Sequence, residues 1–206
     1  MALLLGATGY VAVRGRSTGA QAGSAAMLTV FLGAAEIEAA GGLGFHAAHT
    51  GDQVAEGSSI RTQADSKAAL SFPDGSTTRL DALTTLKVTS LPHGSGTTAL
   101  FQAAGETWNS VRRLGAGNHF KVRGPNNSTA EVRGTEFSFV AGGARGDRLE
   151  VWAGAVDLSA AGATVAVAAG QASEVPATAT PPTPPAPIPS ADRRTSFVVF
   201  NQTLDA

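Results

Sequence analysis

The chain has 206 residues, a formal net charge of −1 and no cysteine. That length suits one domain of about 150 residues plus ends, large enough to bury a core without covalent staples. The near-zero charge excludes a polyanion-binding field, and with it a nucleic-acid partner; the lack of Cys excludes thiol catalysis, Cys-based zinc sites and iron–sulfur clusters.

Residues 2–13 form an apolar run, Ala-Leu-Leu-Leu-Gly-Ala-Thr-Gly-Tyr-Val-Ala-Val. It is shorter than the roughly 20 residues that span a bilayer. No positive region precedes it, and Arg14 and Arg16 follow. Three readings stay open: the end of a transmembrane helix, an export signal with Ala20-Gln21-Ala22 as its cleavage-like site, or an apolar arm that packs on a partner through Leu3, Leu4 and Leu5. Residues 1–26 are thus expected to be a membrane or export segment with a small-residue tether.

From Met27 the pattern changes to short alternating runs. Met27–Leu32 and Ala35–Glu38 predict a first strand pair, bent at Gly33. Residues 45–62 predict two short strands around Gly51-Asp52 and Gly57. Ser66–Leu70 and Thr77–Leu80 predict a hairpin, because Pro73 presets φ and Gly75 accepts positive φ in the turn between them. Leu83–Thr89, Thr97–Ala103, Glu106–Leu114 and Phe120–Arg123 continue the series, and the last turns at Gly124-Pro125-Asn126-Asn127. Short strands at regular spacing define an all-β fold: a twisted sandwich or a β-helix-like jelly roll of many antiparallel strands.

Residues 130–139, Ala-Glu-Val-Arg-Gly-Thr-Glu-Phe-Ser-Phe, predict the central strand. Phe137 and Phe139 fall on one face, Glu136 and Ser138 on the other. Arg133, Gly134, Thr135 and Phe137 form a predicted structural corner: Gly134 admits a close backbone, and an Arg133 fork there would tie two strands together. Leu149–Leu158 and two light strands in 160–175 close the domain. A faint internal repeat relates Phe31–Ile37, Val151–Leu158 and, more loosely, Phe101–Val111 with Gly105 at its middle.

Residues 176–190 hold most of the ten prolines and predict a semi-rigid linker. After it, residues 191–206 predict a docking strand, with Phe197, Val198, Val199 and Phe200 as its sticky residues. It would dock on this domain's own edge or on a partner's sheet.

The chain resembles the FecR-type domain of bacterial extracytoplasmic proteins. The matching pieces run in order over about residues 27–175: Gly51-Asp52-Gln53-Val54, Gly57, Ile60-Arg61-Thr62, Pro73-Asp74-Gly75-Ser76 and the Leu80–Val88 run. Gly105, Phe120-Lys121-Val122, Val132–Phe137, Val151–Val156 and Gly170-Gln171 follow. The resemblance implies a periplasmic or cell-surface β domain tethered to the membrane. In signalling members, a cytosolic helical segment controls a sigma factor while the outer part listens to a receptor. Too few residues precede this domain to build that segment, so a regulator complete in itself is not expected.

Catalytic chemistry is not expected. His46 and His49 lie three apart near a Gly-rich loop, His93 and His119 stand alone, and the acidic residues are scattered. No carboxylate pair, Gly-x-Ser-x-Gly elbow or phosphate cradle emerges. No metal, cofactor or small-molecule substrate is therefore expected; Trp108 and Trp152 read as packing. The expectation is a non-enzymatic interaction module, membrane-tethered, serving as a structural or accessory subunit of a larger membrane or surface assembly. The alternative is the periplasmic sensor part of a FecR-like sigma-factor regulatory system, and a more distant one is a carbohydrate-binding β module.

Overall fold

The computed structural model of the chain describes residues 24–92 and 94–205. The first strands are β1 (Ala25–Leu32), β2 (Ala35–Glu38), β3 (His46–Ala48), β4 (Gln53–Ala55), β5 (Ser59–Thr62) and β6 (Lys67–Ser71). Then come β7 (Thr77–Leu80), β8 (Thr85–Ser90), β9 (Thr97–Val111), β10 (His119–Arg123), β11 (Thr129–Val132) and β12 (Thr135–Gly143). The last are β13 (Gly146–Ala153), β14 (Ala155–Ala160), β15 (Ala163–Ala168), β16 (Gln171–Val175) and β17 (Ala186–Pro187). A 3-10 turn (Asp192–Arg194) and helix α1 (Ser196–Leu204) follow.

The strands make two layers. One has the order β4-β1-β6-β7-β9-β12-β13-β16-β17. The other has the order β3-β2-β5-β8-β9-β10-β11-β14-β15. Strand β9 belongs to both: its first half pairs with β8 and β10, its second half with β7 and β12. Of these pairings only β9–β10 is parallel. The fold is therefore an all-β sandwich with β12 central in its layer, and the Pro-Asp-Gly hairpin is β6–β7.

The inward faces interlock in one apolar core. Leu28, Leu70, Leu80, Phe137, Phe139, Leu149 and Val151 from the first layer meet Ile60, Leu86, Val88, Leu100, Phe120, Val122 and Leu158 from the second. Burial of each such side chain is worth roughly 1.5–3 kcal/mol. A polar chain crosses this core. Thr78 donates to Asn109 Oδ1 at 2.8 Å, Asn109 Nδ2 to Thr107 Oγ1 at 3.0 Å, and Thr107 to Gln102 Oε1 at 2.7 Å. Gln102 Nε2 then donates to the Gly105 and Phe139 carbonyls. The Gln102 amide so satisfies backbone groups where β9 changes layer, which matters because an unpaired buried polar group is costly.

The faint internal repeat is a corner device. At Gly33, Gly105 and Gly154 the chain passes between layers with φ of +68°, +87° and +81°. A Cβ at the first two would strike Ser66 and Thr84; at the third it would lie 3.0 Å from the Gly134 carbonyl. A hydroxyl secures each turn just after the glycine. Ser66 Oγ accepts from Ala34 N at 2.9 Å, Thr84 Oγ1 from Glu106 N at 3.1 Å, and Thr135 Oγ1 donates to the Ala155 carbonyl at 3.1 Å.

Several expectations are corrected. The runs 27–32 and 35–38 are strands but do not pair with each other, because Gly33 sends them into different layers. Residues 97–111 are one strand, not two, because pairing continues through the corner at Gly105, whereas 149–158 are two, not one, because the ladder breaks at Gly154. The Pro-rich stretch is not a free spacer. Thr183 bonds Glu174 through N–H and Oγ1, Ser173 Oγ donates to the Thr183 carbonyl, and Ile188 is buried. The prolines fit because an edge strand needs no outward donor.

Candidate functional site

The predicted C-terminal docking strand is a helix, and it lies on the domain itself. Thr195 caps it: its backbone is extended and its Oγ1 accepts from Val198 N at 3.2 Å. The run Phe-Val-Val-Phe favours a strand by local preference, but the buried positions are Phe197, Val198 and Asn201, which share one helical face. Packing against Trp108 thus overrides propensity. Thr195 before an apolar run was the one sequence signal for this helix.

The surface that α1 covers is the outer face of the first layer. Strand alternation brings Lys67, Ala69, Arg79, Trp108, Ser138, Glu150 and Trp152 to that face. Trp108, Ala69, Ser138 and Glu150 are buried there. Trp108 and Trp152 stack with centroids 5.4 Å apart, and the Arg193 guanidinium is 5.9 Å from the Trp152 ring. Ser138 lies on the face opposite Phe137 and Phe139, as its alternation predicts, yet it is buried, with its Oγ donating to Glu150 Oε2 and accepting from Trp152 Nε1, each at 3.4 Å. A groove of about 540 Å³ remains beside α1, lined by Trp108, Glu136, Trp152, Arg193, Gln202 and Asp205.

Two polar clusters fasten the segment. At the helix C-terminus, Arg79 makes a two-pronged pair with Asp205, and Nη1 also donates to Asn201 Oδ1 at 3.3 Å. Trp108 Nε1 donates to Asp205 Oδ2 at 3.1 Å. The Lys67 ammonium lies 4.8 Å from the centre of the Phe197 ring, and Phe31 meets Phe200 edge-on at 5.7 Å. At the other end, Arg148 on β13 donates to Glu150 at 2.8 Å, to Asp192 at 2.9 Å and to Glu174. One guanidinium thereby links β13, β16 and the 3-10 turn, a task suited to its rigid fork.

Beneath that cluster is a cleft of about 250 Å³ lined by Glu106, Val140, Arg145, Arg148, Glu150 and Asp192. Burial, with the neighbouring carboxylates of Asp81 and Glu150 adding to it, pushes Glu106 up to about 7. Lys67 opposes the shift. Burial also raises Glu150, against the Arg148 hydrogen bond. The site is thus an electrostatic clasp holding a segment of its own chain.

The other predicted residues fall elsewhere. Leu3, Leu4, Leu5 and His93 lie outside the described residues. Phe197 and Val198 are consumed by the domain, while Val199 is half exposed. Gly134 and Thr135 do form a corner beside β12, and Phe137 is fully buried. Arg133 is corrected: its side chain is exposed and makes no hydrogen bond or ion pair among the described residues. Only its carbonyl acts, accepting from Leu114 N at 2.9 Å. The fork cannot tie the strands because the corner turns it to solvent. His46 and His49 are exposed, and among the described residues no three potential ligand side chains converge. Sequence reading missed Arg79, Glu106, Arg148 and Asp205, whose partners lie up to 126 residues away.

The architecture is a two-layered sandwich with glycine corners, one face of which is clasped by the chain's own C-terminal segment. Residues 58–157 match the model of the FecR protein family, and the chain carries a FecR-type domain. The match runs from the edge of β5 into β14 and leaves the clasped segment outside it. Two crystal structures of a Parabacteroides distasonis protein, provisionally named an anti-sigma factor, share the fold. Each has a TM-score of 0.54 and 18% identity, over 63% of this chain and 59% of that one. The likeness thus spans about three fifths of the neighbour's length. No curated protein matches this chain.

Proposed function

We propose that this chain is a non-enzymatic protein-binding module of a FecR-type sigma-factor regulatory system. It works on the periplasmic or cell-surface side of a bacterial membrane and is tethered there through residues 1–26. The observation that carries this reading is the FecR match over residues 58–157. The fold shared with a protein provisionally named an anti-sigma factor is consistent with it. In this role the β domain receives a signal from a protein partner.

Exposed apolar side chains favour a second reading, a structural accessory subunit of a membrane assembly. Phe31, Leu32, Val199 and Leu204 are each about half exposed, on β1 and α1 or beside their contact. Apolar surface gathered in this way suits a protein partner. Capture of the full chain from gently solubilised native membranes separates the two. A regulatory role predicts recovery of a receptor or a sigma-linked partner. Recovery of a stoichiometric membrane complex with no regulatory member supports the accessory role and overturns the first. Recovery in a cytosolic fraction, with no membrane partner, overturns both.

A further inference from the structure

We propose that the free edge of β15 is a self-association surface, on which a second copy of this chain pairs its own β15 antiparallel about a two-fold axis. The four edges of the two layers differ in how they are protected. Strands β3 and β4 have three residues each, and β17 is a two-residue strand ending in Pro187 amid further prolines. Short strands and prolines blunt an edge. Strand β15 has six residues, Ala-Thr-Val-Ala-Val-Ala, with neither charge nor proline, in an even register with β14. Residues 158–173 contain no Asp, Glu, Lys or Arg at all. Among the described residues no strand pairs with its outer side.

The direction of its backbone groups follows from the ladder. Ala169 N donates to the Gly154 carbonyl at 3.0 Å, in register with the Ala155–Ala168 pair. Backbone groups alternate along an antiparallel strand, so those of Val165 and Val167 face β14, and those of Thr164, Ala166 and Ala168 face away. The Ala168 N–H is already taken by Gln171 Oε1 at 3.1 Å. The N–H and C=O of Thr164 and Ala166 remain. A two-fold axis at Val165 sets Thr164 opposite Ala166 of the second copy, and Ala166 opposite its Thr164. Four hydrogen bonds then form, two donated by each copy. The pairing is self-complementary without any other sequence, and the uncharged run removes the like-charge repulsion that opposes identical edges. Val165 of each copy meets its counterpart in a non-hydrogen-bonded pair, where side chains approach most closely.

The contact is small, so the dimer is weak and concentration-dependent. Sedimentation equilibrium of the full chain in mild detergent, with Ala166→Pro and Val165→Cys variants, tests it. Proline at 166 removes only an outward donor and leaves the β14 ladder intact. Two of the four bonds are lost, so the dimer dissociation constant rises by about thirtyfold. Val165→Cys, the sole thiol in this chain, gives a disulfide-linked dimer on mild oxidation. A monomeric wild type, equal association of wild type and Ala166→Pro, or a Val165→Cys protein that does not cross-link overturns the proposal. Should Ala166→Pro fail to fold, the cross-link alone decides.

Discussion

Arg79 on β7 and Asp205 at the end of α1 form a two-pronged ion pair, with Nη1–Oδ2 at 2.8 Å and Nη2–Oδ1 at 2.5 Å, across 126 residues of sequence. The guanidinium is anchored on the sheet and the carboxylate also accepts from Trp108. This bond latches the far end of a helix that the FecR match does not include.

Removing the latch should loosen α1 before anything else. Arg79→Ala leaves Asp205 without its cation in a mostly buried setting, at a cost of about 1–3 kcal/mol. Amide hydrogen exchange should rise in residues 197–201 and stay slow in β12. Equal acceleration in both would mean that the helix and the sandwich open as one unit.

Glu106 should make stability fall as pH rises. Its folded value, about 7, exceeds the ordinary 4.5, so the folded state keeps a proton that the unfolded state has already lost. The contribution is full below pH 4.5 and is lost as pH rises through about 7. A shift of this size corresponds to at most about 3 kcal/mol. Glu150, also raised, acts in the same sense. Glu36, held low by its Arg61 hydrogen bond, acts in the opposite one. So does Glu131, held low by Lys121 and His119 against its own burial. Urea melts of wild type and Glu106→Gln between pH 4.5 and 8 isolate the effect: the variant should lack part of the downward slope. Parallel curves would show that Glu106 is an ordinary carboxylate.

The two neighbours Arg133 and Gly134 should behave oppositely. Gly134 has φ +147°, and a Cβ there would sit 3.0 Å from Arg113 Cα. Gly134→Val should therefore cost about 2 kcal/mol or more. Arg133→Ala removes an exposed side chain with no bond and should stay within about 0.5 kcal/mol. Chemical melts of the pair check both, and a large loss for Arg133→Ala would restore a structural role to its fork.

The corners at Gly33 and Gly105 should share one energetics. Thr84→Val keeps the volume but removes the hydroxyl that accepts from Glu106 N, and Ser66→Ala removes the one that accepts from Ala34 N. Each should cost about 1–2 kcal/mol. A neutral result at either position would show that the glycine alone makes the turn.

The strands were legible because their signals are local. Pro73-Asp74-Gly75 specifies its own hairpin, and Thr135–Phe139 alternates as a half-buried strand should. The echo among residues 31–37, 101–111 and 151–158 was visible too, though its meaning as layer-changing corners needed the hydroxyl partners, which come from distant parts of the chain. The covered face was not legible. Phe197–Phe200 has the composition of a strand, and it is the Thr195 cap together with packing on Trp108 that accompanies the helix. The clasp was hidden because Arg148 meets Glu174 and Asp192 across 26 and 44 residues. Charges so scattered read as surface decoration until the fold gathers them.

The proposed role of this FecR-type domain in a sigma-factor regulatory system has a consequence at the level of transcription. Transcript profiling of the source bacterium with residues 58–157 deleted in frame, against wild type, tests it most directly. A regulatory role predicts a coherent change in one set of promoters sharing a single recognition sequence, reversed when the intact chain is restored. An unaltered transcript profile, with the domain's loss detectable only in the integrity of a membrane assembly, would contradict it.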